Sequence, residues 1–260
     1  MTKTLEWFNS RGYFNQPAVS FVLNTHNMSK DAIGIIALLR LFDNSEIIVV
    51  DDGSDHSHTK MLVDELTGIN ESLLHLSDLF EVFALNRAFG FARGELCVYL
   101  QDDDRFVGTD WMTKAVNLFS KYPDMAILGG RNAIVFTQDS SRTKPIVRAN
   151  CQDFEFVQSL NTAPFWVRRS DFLKLGGFDE DYAPFMYSES DLCLRAWLRG
   201  KSVGWYNSGR KTSVPTPSRR SNKEYLESNA TALHFKMIMD HYGNKLGDIQ
   251  KIVDRENRLV

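Results

Sequence analysis

Three groups of acidic residues in this chain stand where chemistry would need them. The first is Asp51, Asp52, Gly53, Ser54, which follows the apolar run 47–50. Two carboxylates at a strand end, with a glycine to turn the chain, can face a bound ligand and accept the imide hydrogen of a uracil or thymine, or a ribose hydroxyl. The same residues also suit a plain turn in which Ser54 or Asp55 caps the next helix. The second group, Asp102, Asp103 and Asp104, follows the run 96–100. Three adjacent carboxylates at the end of a buried strand repel one another, and a hard divalent cation relieves that repulsion. Mn²⁺ or Mg²⁺ takes oxygen ligands and needs only one or two protein carboxylates, leaving positions for water and donor phosphates. A solvated acidic turn is the competing reading.

The third group is Ser188, Glu189, Ser190, Asp191, Leu192, with Arg195 four residues after Asp191. On a helix beginning near 190, Asp191 and Arg195 share a face and pair, which gives Asp191 a structural task. Glu189 has no such partner. A carboxylate held beside an acceptor hydroxyl is suited to act as general base, whereas a purely structural account would have it favoured by the helix dipole.

The surrounding pattern says what positions these groups. Apolar runs at 19–23 and 46–50 flank helical spacing at 32–42, which makes a βαβ unit. A helix-compatible stretch at 60–68 and expected strands at 80–85 and 96–100 follow. Alternating strands and helices imply an α/β fold with a mostly parallel central sheet, whose ligands bind at the carboxyl ends of the strands. The first two acidic groups sit there. Further on, the pattern predicts a helix at 111–122, a strand at 126–130 and a polar loop at 138–144. Next come a short helix at 171–175 closed by Gly176 and Gly177, and a longer one at 190–198 closed by Gly200. The turn-rich residues 215–221 predict a mobile loop, and 224–241 a last helix ended by Gly243. The implied division is an extension at 1–18, a catalytic domain at 19–214 with a nucleotide half to about 105 and an acceptor half beyond it, and a loop and helix at 215–260 packed on that domain.

Composition narrows the class. With 43% hydrophobic and 24% charged residues in 260, the chain has the make-up of a folded globular protein. A formal net charge of −3 argues against bulk electrostatic binding of nucleic acid. Cys97, Cys151 and Cys193 are too scattered for a disulfide framework or a zinc site, and no apolar run reaches membrane-spanning length. A cytoplasmic chain is the expectation, with peripheral association at a membrane left open.

Together the three groups resemble glycosyltransferase family 2, the inverting family with the GT-A fold, over about 19–206. The start Phe21, Val22, Leu23, Asn24, Thr25, His26, Asn27 looks like the family's opening strand and loop, and Asp51 to Ser54 like its Asp-Asp-Gly-Ser turn. The stretch from Asn86 through Arg93 to Glu95 is similar to the segment before the family's metal strand. Leu100, Gln101, Asp102, Asp103, Asp104 resembles its DXD region, and Gly176, Gly177, Phe178, Asp179, Glu180 the turn before its catalytic carboxylate. The resemblance implies that Thr25, Asn27, Asp51, Asp52 and Arg93 hold the nucleotide sugar. Asp102 would reach its ribose or sugar, and Asp103 or Asp104 would bind a metal that bridges the diphosphate. The donor implied is a nucleoside diphosphate sugar, of uridine or thymidine type, and the acceptor a carbohydrate or other hydroxyl compound. Glu189 stands where the family places an aspartate base, and Ser188 and Gln101 replace its usual acidic residues. The departures at Gln101 and Ser188 keep one rival in view, a catalytically silent sugar- or nucleotide-binding domain; a separate rival is a nucleotidyltransferase that makes nucleotide sugars. The latter would want a glycine-rich phosphate loop after the first strand, and 24–30 contains no glycine.

Weaker readings attach to Trp166, Trp205 and Tyr206, which suit the core better than a sugar platform. Arg219 and Arg220 read as surface charge that could close over a diphosphate, and His26 and His234 as structural histidines.

Overall fold

The computed structural model describes residues 16–139, 142–148, 153–161, 163–212 and 223–260. Residues 1–15 of the expected extension at 1–18, Cys151, and the whole loop at 215–221 with Arg219 and Arg220 lie outside the described residues.

The first half is a run of strand–helix units: β1 (Val19–Thr25), α1 (Ser29–Leu39), β2 (Ser45–Asp52), α2 (His56–Glu65), β3 (Glu71–Leu76), α3 (Phe80–Phe91) and β4 (Leu96–Gln101). The strands β1, β2 and β4 are near-continuous apolar runs because helices cover both faces of the sheet. Beyond them come β5 (Asp104–Arg105), α4 (Asp110–Lys121), β6 (Met125–Gly129), β7 (Ala133–Val135), β8 (Ile146–Arg148), β9 (Phe154–Phe156), β10 (Ser159–Leu160) and β11 (Phe165–Arg168). The chain ends with α5 (Arg169–Leu175), a 3₁₀ turn at Glu180–Tyr182, α6 (Ser188–Leu198), β12 (Ser202–Tyr206), β13 (Lys211–Thr212), α7 (Lys223–Tyr242) and α8 (Leu246–Asn257).

The central sheet has eight strands in the order β3-β2-β1-β4-β11-β6-β12-β9. Strands β1 to β4 pair in parallel; β11 enters antiparallel between β4 and β6, and β9 closes the far edge antiparallel to β12. The expected mostly parallel sheet flanked by helices is what forms. The core runs along both faces of this sheet, with Phe21, Trp111 and Trp166 in mutual edge-to-face contact. Trp166 is fully buried and donates from Nε1 to the Tyr206 hydroxyl at 3.1 Å, and Trp205 donates to the Arg131 carbonyl at 3.0 Å. All three aromatic residues belong to the core.

One expectation is overturned. Residues 80–85 open α3 and do not form a strand; the strand is β3 at Glu71–Leu76. The apolar alternation of Phe80, Val82 and Ala84 suggests a strand, but the helix start is fixed from a distance. Asp52 accepts from the backbone N–H of Leu79 at 2.7 Å and of Phe80 at 2.8 Å, a cap supplied from 27 residues upstream. A second helix, α8, also follows the expected last one.

Candidate active site

The parallel register sets the floor of the site. Thr25 lies opposite Asp51, and Asn24 opposite Gln101, so the loops after β1, β2 and β4 leave the sheet side by side. Those loops are laced together. The His26 N–H donates to Asp102 Oδ2 at 3.2 Å, and its Nδ1 lies 2.7 Å from the Asp52 carbonyl, which makes Nδ1 the protonated nitrogen. Asn27, at φ 57°, donates from its backbone N–H to Ser54 Oγ at 2.8 Å, and its Oδ1 accepts from the Asp55 N–H at 2.7 Å.

Asp51 and Asp52 are both fully buried, and each has structural work. Asp51 accepts from the Ser54 N–H, the Thr59 hydroxyl and His75 Nδ1 at 3.2, 2.5 and 3.1 Å, while Asp52 caps α3. Thr25 is buried beside Asp102. Burial pushes the Asp102 carboxyl up to about 6, partly offset by the Thr25 hydroxyl and the His26 N–H.

The three adjacent aspartates have three different surroundings. Asp104 is fully buried, accepts from the Gln101 N–H at 2.9 Å and is ion-paired with Arg210 Nε. Asp103 keeps 37% of its side chain exposed and has Arg210 Nη2 at 3.9 Å. The structure therefore gives Asp104 a protein partner and leaves Asp103 as the open carboxylate. Among the described residues no set of three or more His, Cys, Asp and Glu gathers in a way that could hold a metal unaided. A site built on one open carboxylate still fits Mn²⁺ or Mg²⁺, which take most of their oxygens from water and phosphate. The buried, ill-compensated Asp102 alongside is consistent with a cation there.

The third acidic group approaches from across the sheet. Asn86 on α3 holds the turn ahead of it by a double bond to Phe178, accepting from its N–H at 2.9 Å and donating to its carbonyl at 2.8 Å. Gly177, at φ 76°, lets the chain pass within 3.0 Å of Asn86 Oδ1 from where a Cβ would stand. Met186 and Tyr187 then both take positive φ, 79° and 66°, and turn the chain into α6. His234 of α7 secures that turn, its Nδ1 lying 2.9 Å from the Phe185 carbonyl and 3.1 Å from that of Met186.

The helix α6 begins at Ser188, two residues ahead of the start expected from the sequence, so Glu189 is its second residue and not a residue preceding it. It is 4% exposed; Oε2 accepts from the Ser188 hydroxyl at 3.1 Å, and Oε1 has no hydrogen-bond partner among the described residues. Burial, and then the charge of Glu81 on α3, raise its carboxyl to about 7; its own backbone N–H, then Ser188 and Arg131, act the other way. Asp191 has the pairing its spacing predicts. It accepts from Arg195 Nε at 2.7 Å and from the Tyr242 hydroxyl at 2.5 Å, while Arg195 also donates to the Leu175 and Gly177 carbonyls.

Arg93 is not brought to this group. It pairs with Glu46 at 2.8 Å, and its N–H donates to the same carboxylate at 2.6 Å, at the start of β2 and so at the opposite edge of the sheet from Asp52. Two residues that the motifs did not single out are part of the site: Arg210, 4% exposed behind Asp103 and Asp104, and Glu81. Arg210 lies 106 residues from Asp104, so no local spacing could have announced it.

Two acidic groups at the strand ends and a buried carboxylate in the first turn of α6 make up the candidate site. Residues 20–192 match the family described as Glycosyl transferase family 2. The chain belongs to glycosyltransferase family 2. Solved structures of glycosyltransferase type share its fold. One is GalNAc-T7 with UDP, GalNAc and Mn²⁺, at 14% identity and TM-score 0.63, covering 78% of this chain and 45% of that one. Another is S. aureus TarS 1–349 in complex with UDP-GlcNAc, at 14% identity and TM-score 0.57, covering 80% and 63%. The uncharacterized protein y4gI of Sinorhizobium fredii is 24% identical over 245 residues, which span 79% of this chain and 26% of that protein. This family 2 chain thus spans about a quarter of its curated relative. Among the described residues, no helix is long and apolar enough to cross a membrane.

Proposed function

We propose that the chain is a glycosyltransferase that moves a sugar, with inversion, from a nucleoside diphosphate sugar to an acceptor hydroxyl. The observation that carries this reading is Glu189: a buried carboxylate with a raised proton affinity and one oxygen unpartnered among the described residues, following a turn that packs on the α3 start capped by Asp52. A group that takes up a proton near neutrality is matched to removing one from a hydroxyl as it attacks the anomeric carbon. As the new carbon–oxygen bond forms, the bond to the diphosphate breaks and its electron pair leaves with the phosphate oxygen.

The donor lies across the loops after β1, β2 and β4. Asp52, through the cap it gives α3, sets the loop that meets the base, Thr25 and Asn27 shape the wall, and Asp102 meets the ribose or sugar. A uridine nucleotide is favoured, since the TarS and GalNAc-T7 structures hold UDP or UDP-GlcNAc. Asp103 would hold a divalent cation, which supplies charge stabilisation to the departing diphosphate. Asp104 and Arg210 form the buried pair behind it. Asp191 positions the helix that carries the base.

The test is release of UDP from UDP-GlcNAc and UDP-GalNAc with and without Mn²⁺, beside thermal shifts with uridine, thymidine, guanosine and cytidine diphosphates. Metal-dependent stabilisation by UDP, with slow UDP release that Glu189→Gln abolishes, is expected. Stabilisation by a nucleotide with no release from any donor in the presence of hydroxyl acceptors would point to a silent binding domain.

A further inference from the structure

The first turn of α3 packs directly on the turn that leads into α6. The Val82 N–H donates to the Pro184 carbonyl at 3.3 Å, and the rings of Phe80 and Phe185 lie 6.1 Å apart. Between those contacts sits Glu81. Its Oε1 accepts from the hydroxyl of Tyr99, a fully buried residue of β4, and from Gln101 Nε2 at 3.3 Å. Two donors on one oxygen favour the ionised form of Glu81. Glu189 has its own backbone N–H and the Ser188 hydroxyl as donors, and among the described residues no other residue donates to its Oε1. Two carboxylates that act on each other cannot both stay ionised cheaply, and Glu189, buried where Glu81 is half-buried and without a donor like the Tyr99 hydroxyl, takes the first proton.

We propose that Glu81 is a positioning residue for the base: its charge, fixed by Tyr99 and Gln101, makes this carboxylate pair accept its first proton on Glu189. The inference rests on the reading of Glu189 as the base. In turnover, the hydroxyl proton of the acceptor passes to Glu189 and leaves to solvent afterwards, while Glu81 stays ionised throughout. The groups facing the pair are consistent with that order. Tyr99 and Gln101 reach Glu81 from β4, and Glu81 faces Glu189 from α3. Arg131 draws the Glu189 proton affinity down from the end of β6, and Cys193, on α6 itself, is buried and neutral. The charge of Glu81 outweighs that of Arg131 at Glu189, in keeping with the direction of its displacement.

Carboxyl-labelled glutamate followed by ¹³C NMR through a pH titration reads this in the free protein, with no donor or acceptor needed; the Glu189 signal is identified by its loss in Glu189→Gln. In Glu81→Gln the Glu189 carboxyl should titrate at least about one pH unit lower than in the unaltered protein. Tyr99→Phe, which keeps the ring in the core, should do the same by letting Glu81 take the proton, and it serves if Glu81→Gln does not fold. A Glu189 titration that is unmoved in the folded variants overturns the proposal. Where transfer is measurable, the acid limb of the rate profile should shift down with the titration while the donor KM holds. A role confined to packing would lower stability and leave both the titration and the limb in place. Full transfer activity in Glu189→Gln would instead remove the base assignment, a result distinct from the titration.

Discussion

At the scale of single residues, the carboxylates divide into those the protein satisfies and those it leaves wanting. Asp104, Asp191, Asp51 and Asp52 have internal hydrogen-bond donors; among the described residues Asp103 has only Arg210 Nη2 at 3.9 Å, and one oxygen of Glu189 has no partner. Asp103→Ala should therefore abolish metal-dependent nucleotide binding at little cost to stability, read by calorimetric titration with Mn²⁺ and UDP. Asp104→Ala should lower stability by about 3–5 kcal/mol, because it leaves the Arg210 guanidinium buried without its counter-charge. Equal loss of stability in both would refute the division. Glu189→Gln should keep donor affinity and lose transfer by at least roughly a hundredfold. Its stability effect has a definite sign. The carboxyl is raised from 4.5 to about 7, so the folded state binds the extra proton and the protein loses stability as pH rises through that window. Glu189→Gln removes the penalty. Its melting temperature should match the unaltered protein near pH 4.5 and exceed it above pH 7.

At the scale of elements, what the sequence made legible was the strand ends. The apolar runs before Asp51 and Asp102 announced β2 and β4, and the spacing of Asp191 and Arg195 announced their pairing on α6. Where an element depends on a partner far along the chain, local pattern misleads. The α3 start is read as a strand from its alternation because its cap, Asp52, belongs to another element. Arg93 looks like part of a nucleotide segment, yet α3 carries it back to the amino-terminal edge, where Glu46 meets it. Asp52→Ala should accordingly do two things. Loss of the cap should cost about 1–2 kcal/mol, with faster amide exchange in the first turn of α3, and nucleotide affinity should weaken as well. Unchanged exchange at 79–82 would show that the helix start is held by packing alone.

At the scale of the whole molecule, the C-terminal helices reach back to the chemistry. Tyr242 donates to Asp191, and His234 holds the turn before Glu189, so α7 braces both ends of the short segment that carries the base. Tyr242→Phe should lower stability by about 1–3 kcal/mol through the buried Asp191 oxygen it leaves unpaired, measured by denaturant unfolding with unchanged m-value. The family match stops at 192, before β12, His234 and Tyr242. A chimera spliced at that boundary would inherit the acidic residues but not the scaffold that aims them. Donor exchange between relatives should succeed only when the graft carries the chain through α7.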